Sequence, residues 1–177
     1  MSSILFEIKD SIAFITLNRP DKFNSFNREM ALLLQNKLDE CASMQEIRCV
    51  YITGAGKAFC AGQDISELVG EHKIELAQIL SEHYNPIVKR IRNLPKPVIA
   101  TINGVAAGAG ANIALCCDIV VAAESASFIQ AFSKIGLIPD SGGTFTLPRL
   151  IGWQKASALM MTGEKVSANE AERLGMI

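Results

Sequence analysis

An α/β fold built from repeated β-β-α units is predicted from three observations on this 177-residue chain. Strand-like and helix-like segments alternate along its whole length. Strands recur in pairs ahead of helices, which fits a β-β-α repeat better than strict β-α-β winding. Glycine-punctuated loops follow the strands, as in "GAGKAFCAGQD" and "NGVAAGAGAN". With 49% hydrophobic residues, the chain is long enough for one domain with its own core.

The elements follow in order. Residues 4–9 and 12–17 alternate apolar and polar side chains and read as two strands joined at Asp10-Ser11. "NRPDKFNSFN" is a loop, closed by Asn27 as N-cap of a helix reaching about Ala42. "CVYIT" is a buried strand and "GAGKAFCAGQD" a loop after it. An amphipathic helix is expected over 74–94, bent at Pro86. "PKPVIATIN" is a strand, the glycine segment a loop, and 112–116 a short apolar helix. "DIVVAAE" is a further strand, and "GLIPDSGGTFTLPRLIG" a loop leading into a helix. "SANEAERLG" carries a capping box, Ser167 with Glu170, and a glycine stop. The chain ends where another apolar strand is expected to begin, so it reads as cut short at its C-terminal end.

A net charge of −1 gives no electrostatic case for nucleic acid or an anionic membrane. No apolar run approaches the roughly 20 residues of a membrane span, and the N-terminus enters a strand pattern directly. Five cysteines with no CxxC pair suggest free thiols in a reducing cytoplasm, and no metal site is expected. His72 and His83 fall in a stretch read as a solvated helix, and Trp153 at a helix start reads as core. The adjacent Cys116 and Cys117 read as helix packing.

Three glycines, Gly104, Gly108 and Gly110, stand among alanines before the apolar helix. They do not complete a dinucleotide fingerprint, because Ile113 occupies the last glycine position. "GAGKAF" lacks the spacing and Ser/Thr of a phosphate loop, and "PDSGG" has no histidine base to make a serine nucleophile. Two Gly/Ala-rich loops, "CAGQD" and "AAGAGAN", each lie between a strand and a helix start. Backbone N–H groups brought together there can form a pocket for a developing oxyanion. The alternative is that the glycines only permit tight turns and close packing. Asp140 likewise reads either as a turn or N-cap residue, or as a carboxylate in an apolar setting with a raised pKa.

Four segments in order, "NRPDKFNSFN", "GAGKAFCAGQDI", "PKPVIATINGVAAGAGANIALCCDIVVAAESASF" and "GLIPDSGGTFTLPRLIG", resemble the enoyl-CoA hydratase/isomerase (crotonase) superfamily over essentially the whole chain. The resemblance implies a spiral of β-β-α units whose C-terminal helical segment is absent here. It makes residues 1–177 an acyl-CoA-binding core. It implies an acyl-CoA thioester substrate whose enolate oxygen is met by the N–H groups of Gln63 and Ala109. Ala61, Asp64 and Ile65 would offer main-chain groups to the adenine, and Lys22 and Asn24, with Lys57, would help hold the coenzyme. Gly110, Asn112 and Phe132 fall around the acyl group. Coenzyme A is then part of the substrate, and no separate cofactor is implied. The longer protein would form a homotrimer or a dimer of trimers in the cytoplasm.

Hydratases of the family carry two glutamates, whose positions here hold Asn112 and Phe132. The carboxylate that remains is Asp140, at a position that carries the catalytic acid in several isomerases of the family. "LIPDSGGTFTLPRLIG" most resembles the phenylacetate-degradation isomerases, which act on a ring epoxide of phenylacetyl-CoA and shift enoyl double bonds. An isomerase is therefore expected first. Hydration or another enolate reaction, and a non-catalytic acyl-CoA-binding subunit, are the alternatives.

Overall fold

A computed structural model describes residues 2–69 and 74–177; His72 lies outside them. Strands β1 (Ile4–Lys9) and β2 (Ile12–Leu17) form the expected hairpin, turning through left-handed Asp10 and Ser11. Helix α1 (Arg28–Ser43) starts at Asn27, whose side chain accepts from the Met30 N–H at 3.0 Å. The Lys96 ammonium donates to the Cys41 and Met44 carbonyls at the other end, at 2.5 and 2.6 Å.

The rest of the chain follows a spiral rule. Strand β3 (Cys49–Gly54) joins the first sheet and β4 (Ala58–Cys60) the second. Helices α2 (Leu76–Ile79) and α3 (Asn85–Asn93) follow. Next, β5 (Val98–Ile102) returns to the first sheet, β6 (Val105–Ala107) to the second, and α4 (Ala109–Leu115) closes the unit. Strands β7 (Ile119–Ala122) and β8 (Ser127–Ile129) repeat the step. Helices α5 (Gly143–Ile151) and α6 (Trp153–Thr162), strand β9 (Lys165–Ser167) and helix α7 (Ala168–Arg173) complete the described chain. The first sheet has order β1-β2-β3-β5-β7 and the second β4-β6-β8-β9, with β3, β5 and β4, β6, β8 adding in parallel. The predicted β-β-α repeat is therefore the actual winding.

The core lies between α1, α3 and the first sheet. Met30, Leu34, Leu38 and Cys41 recur at helical spacing on α1 and share one buried cluster with Ile15, Val50 and Ile52. All seven residues of α4 are buried: six are glycine or apolar, and the seventh, Asn112, is hydrogen-bonded.

Several expectations change. Strands β4 and β6 lie inside segments read as loops; three residues are too few to show alternation, and it is their mutual pairing that makes them strands. Helix α4 begins at Ala109, three residues before the expected start. The long amphipathic helix is interrupted by a π turn, Leu80–Tyr84, before Pro86, which sits harmlessly in the first turn of α3. His83, on that turn, is completely buried rather than solvated. Trp153 is 71% exposed, because α6 buries Ala156 and Leu159 instead. Ser167 caps α7 through the Glu170 N–H at 3.3 Å, but the Glu170 carboxylate turns to Arg173, so half of the capping box forms. Among the described residues no helix is long and apolar enough to cross a membrane.

Asn24 also has a different role from the one expected. It is fully buried, with left-handed φ of 55°. Its amide donates to the Ala55 and Ala58 carbonyls at 2.8 Å each, and its oxygen accepts from the Arg19 N–H at 2.8 Å. It ties the β3–β4 corner to the preceding loop, and its buried side chain is spent on these bonds rather than offered to a coenzyme. Asn24→Ala would leave buried backbone groups unpaired, at a cost on the order of 1–3 kcal/mol. The expected result is a lower chemical-denaturation midpoint with acyl-CoA affinity unchanged at temperatures where the variant is folded; a wild-type midpoint would contradict this account.

Candidate active site

Parallel pairing of β4 with β6 sets Cys60 opposite Ala106 and brings the two strand exits together. Past β4 the chain makes one more parallel step against Phe26: the Phe26 N–H donates to the Gly62 carbonyl at 2.7 Å, and the Asp64 N–H to the Phe26 carbonyl at 2.8 Å. Both bonds use Gln63's neighbours, so the Gln63 N–H faces the opposite side. Ala109, first residue of α4, has an N–H with no acceptor within its own helix and lines the same cavity as Gln63. Gly62 and Ala109 are close: a Cβ built on Gly62 would lie 3.5 Å from the Ala109 nitrogen.

The glycines make this approach possible. Gly108 has φ 52° and ψ −128°, a backbone conformation that side chains disfavour, and its N–H donates to the Ile129 carbonyl at 2.9 Å. Gly110 is packed against Cys60, where a Cβ would come within 2.5 Å of the carbonyl oxygen. It therefore serves contact between α4 and β4, and it does not line the cavity as a substrate contact.

Gln63 and Ala109 face a cavity of ≈ 230 Å³ whose walls include Ala61, Ile65, Tyr84 and Phe132. Its lining is predominantly hydrocarbon, with Leu76, Ile79, Leu80 and Leu137 among it. Asp140 is the one carboxylate among the described lining residues, and Lys134 the one cation. Burial raises the Asp140 carboxyl above its ordinary 3.8, while the Ser141 hydroxyl, donating to Oδ1 at 2.7 Å, works in the other direction.

Sequence reading missed Tyr84. The π turn directs it into the cavity wall, edge-on to Phe26 with ring centroids 6.0 Å apart. Its hydroxyl donates to Gln63 Oε1 at 2.6 Å, and Gln63 Nε2 donates to Glu67 at 2.9 Å. Burial, with Cys60, Asp140 and Glu67 nearby, raises the phenol well above 10, so it stays a neutral donor. Burial likewise pushes the Cys60 thiol up to about 12, which leaves it a packing group. Nothing in the sequence marks Tyr84, since a π turn has no distinctive composition.

Other expected residues lie outside the cavity or have main-chain groups already engaged. Asp64 is closed off: Arg19 at 2.8 Å and the Ser66 hydroxyl at 2.7 Å hold its carboxylate, its N–H is committed to Phe26, and its carbonyl accepts from Glu67. Burial works against its charge, but the Ser66 and Arg19 hydrogen bonds outweigh it and keep the carboxyl below 3.8. The Ala61 N–H is likewise taken, by the Phe23 carbonyl at 2.9 Å. Lys22 lines a separate surface groove with Arg19 and Asp21. Asn112 is 0% exposed and does not line the cavity, so it offers no substrate contact here.

The enoyl-CoA hydratase/isomerase family model matches residues 7–177. The chain belongs to the enoyl-CoA hydratase/isomerase family. Within that family, it is 47% identical over 180 residues to 1,2-epoxyphenylacetyl-CoA isomerase of Escherichia coli, covering 100% of this chain and 69% of that protein. It is 37% identical over 180 residues to the short-chain-enoyl-CoA hydratase of Clostridium acetobutylicum, covering 100% of this chain and 68% of that one. A crystal structure of an enoyl-CoA hydratase from Mycobacterium avium subsp. paratuberculosis superposes with a TM-score of 0.92 at 34% identity, covering 100% of this chain and 70% of the other. The crotonase-type spiral implied by the resemblance is the fold of this chain.

The Asp140 environment sets a pH dependence. Its carboxyl keeps its proton to higher pH in the folded protein than in the unfolded chain. Between those two pKa values the native state binds more protons, so stability falls as pH rises through this window and stays lower above it. Asp140→Asn removes the ionisation. It is expected to raise the melting temperature at about pH 7, with the gain shrinking as pH falls toward the ordinary carboxyl value. Thermal melts across pH check this, and a gain independent of pH would contradict it.

Proposed function

We propose that the protein is an acyl-CoA isomerase in which the Gln63 and Ala109 N–H groups stabilise a thioester enolate and Asp140 moves the proton. The observation that carries this reading is an apolar cavity lined by Gln63, Ala109 and, as the one carboxylate among the described residues, Asp140. For double-bond migration, the Asp140 carboxylate takes a proton from the carbon next to the thioester. The C–H electron pair passes into the conjugated enolate, with charge on the thioester oxygen. The electrons then return as the bond shifts, and Asp140 delivers its proton to the far carbon. No atom is gained or lost, so one acid/base group is sufficient. A preorganised donor to such an oxygen contributes about 3–4 kcal/mol in other enzymes.

In this reading the substrate brings its own coenzyme A and no separate cofactor takes part. Assembly as a trimer or dimer of trimers, and a cytoplasmic location, belong to the same reading by family resemblance. The identity to the E. coli enzyme favours 1,2-epoxyphenylacetyl-CoA among the substrates to test. Hydration is the second reading, favoured by the named hydratase relative. Against it, Phe132 is a hydrocarbon wall and Asn112 does not line the cavity, so among the described residues no second carboxylate stands there to activate water.

A spectrophotometric screen of 3-enoyl-, 2-enoyl- and epoxyphenylacetyl-CoA separates these readings, with turnover expected on the first or third. Hydration of 2-enoyl-CoA alone would overturn the isomerase assignment. Asp140→Asn is expected to lower turnover about 10²- to 10⁴-fold while acyl-CoA still binds. Near-normal isomerisation by that variant would remove Asp140 from the chemistry.

A further inference from the structure

Asn112 is fully buried yet makes a polar link across the molecule. Its Nδ2 donates to the Asp140 main-chain carbonyl at 2.9 Å, and its Oδ1 accepts from Gln130 Nε2 at 2.8 Å. The same Asp140 carbonyl accepts from the Gly143 N–H at 2.8 Å, closing a tight turn over Asp140–Gly143. Both central residues of that turn are left-handed, Ser141 at φ 50° and Gly142 at φ 78°. A non-glycine residue there costs of order 1–3 kcal/mol and persists only where its surroundings over-determine it. The surroundings do so: Cys116 Sγ donates to the Ser141 carbonyl at 3.4 Å, and Asn112 is packed so closely that a Cβ on Gly143 would lie 2.2 Å from its Nδ2.

We infer that Asn112, held by Gln130, is a positioning residue that sets the Asp140 carboxylate in the cavity through the Asp140 main chain. The inference rests on Asp140 as the proton carrier. An amide is the required group, because one end must donate to a carbonyl while the other accepts from Gln130. A carboxylate of the same shape can do only the second. Proton transfer between two carbons demands a carboxylate held within a fraction of an ångström, and a 1 Å displacement can lower turnover by about 10²-fold. The bracket acts from behind the turn, and substrate contacts on the cavity side remain in place.

The tests are Asn112→Asp and Gln130→Met, each in the otherwise unchanged protein, followed by turnover, KM and the pH profile of turnover. Among the described residues, the groups that face Asp140 are Tyr84 of the π turn, Lys134 of the cavity lining and the Ser141 hydroxyl, with Cys116 behind the turn and Cys60 and Glu67 near Tyr84. None of these is altered by either variant. Asn112→Asp is expected to lower kcat about 10- to 100-fold with KM within about twofold, and to move the acidic limb of the profile upward. Gln130→Met, which introduces no charge and removes only the donor to Asn112, is expected to lower kcat less, again with KM unchanged. Gln130→Met also serves if the buried acid of Asn112→Asp prevents folding. A folded variant with wild-type kcat and pH limb overturns the inference. Asp140→Asn run alongside separates the two levels: if it is inactive while the bracket variants are normal, only the bracket is wrong, and if it is fully active, the reading of Asp140 fails and the bracket with it.

Discussion

Parallel pairing of two three-residue strands, β4 and β6, is the constraint on which the site depends. Each strand ends at the same edge of the small sheet, and past them the chain brings to one cavity Gln63 and Ala109, whose N–H groups the proposed mechanism uses. Neither donor needs a particular side chain, so the requirement falls on the backbone path. Gly108 takes a conformation open chiefly to glycine, and Gly110 lets α4 lie directly on Cys60. The larger sheet, α1 and α3 supply the rigid body against which these short strands are held.

The cavity beyond the donors is apolar, and that polarity governs its ionisable groups. Asp140 is displaced upward by burial, whereas Asp64, paired with Arg19 and Ser66, is displaced downward. Two aspartates on neighbouring loops thus diverge because one has a cation partner and the other has only a hydroxyl. Tyr84 and Cys60 are kept neutral by the same burial. An unpaired carboxyl in such a place costs stability, as is common where a reactive group is set for chemistry rather than for folding.

Asn112 shows how one buried amide can take up a structural task beside a reactive site. At a position where the family resemblance puts a water-holding glutamate in hydratases, an amide joins Gln130 to the Asp140 turn and faces away from the cavity. The chemistry open to the protein is narrowed by that orientation as much as by the residue type.

Much was legible in the sequence alone. Alternation over 4–9 and 12–17, the Asn27 cap and the recurring strand pairs determined the hairpin, α1 and the β-β-α winding, because these signals are local and act over a few neighbouring residues. The motifs that carry the family resemblance also led to Gln63, Ala109 and Asp140, which line one cavity. Only the tertiary structure decided the rest. Strands β4 and β6 are too short to carry a pattern and exist through each other. Asn24, Asp64, Gly110 and Asn112 are in the right neighbourhood, but their partners are Ala55, Arg19, Cys60 and Gln130, 18 to 50 residues away along the chain; contacts across such separations leave no mark on local composition. Tyr84 and His83 turn inward because a π turn alters the helical register, and that register is set by what the helix packs against.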